Sequence, residues 1–130
     1  MGQQQLLLII LGVIVVGIAV AVGITMFQDN AISANRDAVT NDLVNLAARA
    51  QQYYRRPTAL GGGQGSYALV GLADLTSKPS NANGVYTFVS ASATQVVLLG
   101  TGVEDGNDGT SPVEVQMTVF ADSMAVIVNN

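Results

Sequence analysis

The run "LLLIILGVIVVGIAVAVGITMF", residues 6–27, passes without a break into "QDNAISANRDAVTNDLVNLAARAQQYYRRP", residues 28–57, and the pair decides the fold. The first run is 22 residues of Leu, Ile, Val, Ala, Gly, Met and Phe with one Thr. As a helix it measures about 33 Å, which matches the hydrocarbon thickness of a bilayer. The second run is amphipathic. Ile32, Val39, Leu43, Leu46, Ala50 and Tyr54 recur at helical spacing, while Asp37, Asn41, Asp42, Asn45, Arg49 and Gln52 fall largely off that stripe. No proline precedes Pro57, which ends the pattern because it pushes its predecessor out of helical geometry. One helix from about Gln3 to about Arg55 is predicted, roughly 80 Å long.

After Pro57 the period changes. "ALGGGQGS" (59–66) reads as a flexible turn region and "SYALVGL" (66–72) as a short strand. "ADLTSKPSNANG" (73–84) is a polar loop. "VYTFVSA" (85–91) and "QVVLLGTGV" (95–103) form a hairpin, and "EDGNDGTS" (104–111) a turn. In "PVEVQMTVFA" (112–121) Val113, Val115, Met117 and Val119 alternate with Glu114, Gln116 and Thr118; "SMAVIVN" (123–129) closes the meander. A head of 74 residues makes a thin core, so its apolar face is expected to pack on the amphipathic half-helix. The organisation is therefore α+β: a short leader at 1–2, an apolar helix over 3–27, an amphipathic continuation over 28–56, and an antiparallel β head over 57–130.

Composition excludes several functions. The chain has 130 residues, a net charge of −4, and neither histidine nor cysteine. This removes disulfides, thiol chemistry, the commonest general base and the commonest transition-metal ligand. Beyond Pro57 only Lys78 opposes Asp74, Glu104, Asp105, Asp108, Glu114 and Asp122, so there is no basic surface for nucleic acid. "EDGNDG" offers Asp105 and Asn107 at the first and third positions of a calcium loop. Gly109, Thr110 and Gln116 then stand where a fifth ligand, a turn glycine and a terminal glutamate are needed, and the segment reads as an acidic turn. "GGGQG" lacks the flanking strand and Lys-Ser/Thr of a phosphate loop. No catalytic, cofactor or metal site is assigned, and no enzyme activity is expected.

A helix that is apolar on every side must lie in lipid or among sister helices. Lipid tails are as apolar as leucine, so association among such helices depends on close packing rather than hydrophobic burial. Gly17 with Ala21, and Ala19 with Gly23, are spaced four apart, and Gly12 lies about one and a half turns before Gly17. The expected packing surface comprises Leu6, Leu7, Leu8, Ile9, Ile10, Gly12, Val13, Val15, Gly17, Ala19, Ala21, Gly23 and Phe27. The helix-to-sheet core is expected from Ile32, Val39, Leu43, Leu46, Ala50 and Tyr54 against Val113, Val115, Met117 and Val119. Arg49, Arg55 and Arg56 are candidate inter-subunit charges.

In its order of parts the chain resembles the type IV pilins, and "MGQQQLLLIILGVIVVGIAVAVGI" (1–24) is similar to the glycine–glutamine processing site of archaeal pilins and flagellins. The resemblance implies cleavage by a prepilin peptidase after Gly2, leaving Gln3 as the first mature residue, often N-methylated. It further implies a membrane-held precursor that an ATP-driven machine assembles into an extracellular homo-oligomeric filament. Adhesion, motility or DNA uptake would be properties of that filament. The fifth mature position is Leu7, or Gln5 counted from Met1, so the glutamate that pairs with a neighbour's terminal amine in bacterial pilins is replaced by an uncharged residue. No helix-breaking proline interrupts the apolar half, and a continuous helix is expected with Gly12, Gly17 and Gly23 as its loosest points. Two other readings stand beside this one: a monomeric, single-pass anchored binding module, and a minor pseudopilin of a secretion system.

Overall fold

A computed structural model describes residues 2–130; Met1, half of the expected 1–2 leader, lies outside the described residues. The fold is α+β. Helix α1 runs Gly2–Arg55 without a break at Gly12, Gly17 or Gly23. A 3-10 turn (Thr58–Leu60) and a short helix α2 (Leu72–Leu75) lead into four strands: β1 (Gly84–Ala91), β2 (Gln95–Asp105), β3 (Pro112–Phe120) and β4 (Met124–Val128). The strands form one antiparallel sheet in the order β1-β2-β3-β4.

Two compact units divide the chain within α1, one ending at Ala31 and the other comprising Ile32–Asn130. The head thus includes the amphipathic half of the helix. Its stripe of Val39, Leu43, Leu46, Ala47, Ala50 and Tyr53 is buried against Val96, Leu98, Val113, Val115, Met117 and Val119. Each Val, Leu and Met among them contributes roughly 1.5–3 kcal/mol on leaving water. Ile32 and Tyr54 pack only partly against this core. Steps of four, three, four and three lead from Val39 to Tyr53, and Tyr54 stands about 100° further round the helix. The Tyr54 ring meets Tyr67 with centroids 4.8 Å apart.

Glycines in β2 set how closely the helix approaches. A side chain at Gly100 would run into Val39 and Leu43, and one at Gly102 into Asn35. Both bare positions are therefore required by the helix that lies over them.

Residues 73–75 of the expected loop belong to α2 and Glu104 and Asp105 of the expected turn end β2, and two further segments differ from their sequence reading. Residues 66–72 form no strand. The Ser66 hydroxyl accepts from the Ala68 amide (3.1 Å), the Val70 amide donates to Tyr67 O (3.1 Å), and Asp74 accepts from the Gly71 amide (2.8 Å) at the start of α2. These local bonds use the amides that a strand would pair laterally. Tyr67, Val70 and Leu75 are then buried at turn-like spacing. "GGGQG" is likewise a built cap rather than a loose connection. The Gly63, Gly65 and Gln64 amides donate to the carbonyls of Tyr53 (2.8 Å), Tyr54 (2.7 Å) and Arg56 (3.0 Å) and so close the end of α1.

Candidate functional site

The largest uncovered apolar surface is the first half of α1. From Leu6 to Phe27 the large side chains are 52–78% exposed, and the helix is long and apolar enough to cross a membrane. Its one hydroxyl, on Thr25, donates to Ala21 O at 3.0 Å, so that hydroxyl hydrogen is satisfied within the helix. Nothing lies within 4 Å of where a side chain would project from Gly12, Gly17 or Gly23. With Ala19 and Ala21 these positions leave shallow places along an otherwise bulky rod. A surface of this kind can enter lipid or pack against like helices; it offers no acid, base or nucleophile.

The head holds a polar network centred on Asp42, which lies off the apolar stripe of α1. Asp42 Oδ2 accepts from Asn81 Nδ2 (3.0 Å), Asn83 Nδ2 (3.0 Å) and the Tyr86 hydroxyl. Asn35 is buried; its amide donates to Asn83 O (2.8 Å), and its Oδ1 accepts from the amides of Val103 (3.1 Å) and Glu104 (3.3 Å). The two side chains tie α1 to the 80–84 loop and to the end of β2. Three donors already converge on one carboxylate oxygen, which makes Asp42 a fastener. An open cleft of about 250 Å³ beside it is bordered by Arg49, Thr76, Lys78 and Asn45.

These groups make head stability depend on pH at both extremes. Burial raises the Asp42 carboxyl, but the bonds from Asn83, Tyr86 and Asn81 outweigh it and hold the group below its ordinary value. Backbone bonds from Ser111 and Thr110 lower Asp108 as well. Both groups favour the folded state in their charged form. Their contribution is complete above about pH 4 and is lost as pH falls through the lower folded values. Burial, then the bond to Asp42, raises the Tyr86 phenol. Burial, then Tyr54, raises that of Tyr67. Their contribution is complete below about pH 10 and is lost as pH rises through the higher folded values. Thermal unfolding followed by circular dichroism should show a plateau between these limits. Asp42→Asn is expected to shrink the acid limb and Tyr86→Phe the alkaline one; unchanged limbs would refute the assignment.

The turn after β2 is organised by Asp108, not by Asp105 or Asn107. Asp108 Oδ1 accepts from the amides of Thr110 (3.0 Å) and Ser111 (2.8 Å) and from Asn130 Nδ2 (3.3 Å). Asn107 Oδ1 instead accepts from Arg36 Nη2 at 3.0 Å. Among the candidate charges, Arg49 donates to Leu75 O (2.9 Å), and Arg55 reaches Ala121 O (3.4 Å) and Asp122 (3.6 Å) within the same chain. Arg56 is exposed at the end of α1. The Asp42 fastening was missed because a carboxylate one step off an apolar stripe looks like a solvated face. Three Asn and Tyr donors at 81, 83 and 86 were its only trace in the sequence.

The chain matches no protein-family model, no curated protein and no solved structure.

Proposed function

We propose that the chain is a structural subunit that polymerises through its N-terminal helix into a surface filament of the type IV pilus kind. The supporting observation is the 22-residue apolar surface of α1, exposed on all sides, on the same uninterrupted helix that supplies the core of the head. Such a surface requires apolar surroundings, either lipid or sister helices. Before assembly the same segment would sit in the membrane. The head would then face outward, and processing after Gly2 would leave Gln3 as the mature start.

Mass spectrometry and electron microscopy of material sheared from producing cells test this. Filaments composed of this chain with Gln3 at their N-terminus are expected. Sheared material lacking the chain would refute the proposal.

The anchored-module reading is favoured by a different observation: residues 32–130 hold a complete buried core of their own. On that reading an unrelated anchor in place of residues 3–27 preserves the cellular role. On the filament reading it abolishes it.

A further inference from the structure

The head carries its charge unevenly from end to end. Asn35 and Arg36 of α1 contact the 103–107 segment, so Glu104, Asp105 and Asp108 gather at that end beside Asp37 and Glu114. Arg55 and Arg56 lie nineteen to twenty residues further along the helix, about 28 Å away at 1.5 Å per residue. The second end also bears the two most protruding leucines of the head, Leu60 at 70% exposure in the segment that caps α1 and Leu69 at 89%, which borders a small cleft with Tyr53 and Gly63.

Strand β4 completes the picture. Met124, Val126 and Val128 are paired with Val119, Met117 and Val115, and cross-strand partners share a face of the sheet. Those partners are fully buried under the helix, yet Met124, Val126 and Val128 remain 37–47% exposed. The cause is placement. The helix lies over Gly100 and Gly102 of β2, and its flank reaches only the β3–β4 turn, through Gln51 to Phe120 O (3.2 Å) and Ser123 O (3.3 Å). The uncovered apolar strip runs directly into the acidic turn, because Asn130 bonds Asp108 and Asn129 bonds Glu114.

We propose that this strip is the docking surface for the opposite end of a second copy of the chain. Leu60 and Leu69 seat on Met124, Val126 and Val128, and Arg56 faces the acidic turn at Asp105 and Asp108. The two surfaces complement each other in both polarity and charge, and opposite charges across a contact fix its register and exclude the reversed pairing. They also lie on different parts of one molecule. The contact is therefore heterologous and propagates instead of closing into a dimer. It deepens the filament reading, on which it rests, by assigning the heads a contact separate from the helix bundle.

The chain has no cysteine, so paired substitutions report the contact cleanly. The full-length chain carrying Leu69→Cys and Val126→Cys is produced in its own cells, oxidised, and resolved on a denaturing gel, with the same material viewed by electron microscopy. A ladder extending past the dimer is expected from the double variant and monomer from either single one. Adding Arg56→Glu should cut ladder yield at least about tenfold, and further adding Asp105→Lys should restore it. Filaments without a ladder, or dimers only, overturn the docking proposal and leave the filament reading standing. A ladder from cells that make no filaments upholds the docking and overturns the filament reading. Neither ladder nor filament overturns both.

Discussion

Replacing Gly102 with valine is expected to lower the stability of the head by on the order of 4 kcal/mol, or roughly 20 °C in melting temperature. Two costs combine. A side chain at this position falls inside van der Waals contact with Asn35 Oδ1 and also crowds Val113, so the strand and the helix cannot keep their approach. If Asn35 is displaced, the amides of Val103 and Glu104 and the carbonyl of Asn83 lose their partner in a part-buried place. Leaving such groups unsatisfied costs about 1–3 kcal/mol each time. Thermal unfolding of the full chain in detergent, followed by near-ultraviolet circular dichroism, measures the effect. Combining Gly102→Ala with Asn35→Ala separates the two costs. The double variant relieves the clash but leaves the orphaned amides, so its loss should be smaller than the sum of the single losses. Strict additivity would mean that the helix does not rest on Gly102 through Asn35.

This pair also marks how far the sequence could be read. A 54-residue helix was legible because a uniformly apolar run passes directly into a stripe of helical period and no proline interrupts them. Strand β3 was legible because alternation at 113, 115, 117 and 119 allows one face only. Asn35 was not, since a polar residue on a helix reads as solvated unless its distant partners are known, and these lie 48 to 69 positions away. Nothing in the pattern of 95–103 singles out its glycines, whereas the helix above them makes them necessary. Residues 66–72 have the composition of a strand, but Ser66 and Asp74 capture their amides first. For Asn35 and the β2 glycines the missing information was a contact across the fold, which local pattern does not carry; for residues 66–72 it was a local competition for the backbone amides, which strand-like composition hides.

Enlarging Gly17 is the change that best divides the two fates of the apolar helix. Gly17→Leu, with Ala21→Leu as a second variant on the same face, should leave the amount of chain in the membrane unchanged or slightly raised. Leucine inserts favourably, by a few tenths of a kcal/mol, and the space around Gly17 in a single chain is open. Assembly responds differently. Helices already surrounded by lipid gain little hydrophobic free energy on meeting one another, so their association rests on close backbone approach at small residues. A leucine at each of these sites forces the helices apart, and filament mass in the sheared fraction should fall at least about tenfold, a loss of about 1.4 kcal/mol per subunit contact or more. Val16→Asp is the necessary control. A carboxylate at mid-helix costs roughly 3 kcal/mol in the bilayer, so it should deplete the membrane pool and the filament together. If Gly17→Leu instead lowers neither, the small residues have no packing role, and the apolar helix acts as an anchor whose only requirement is to span.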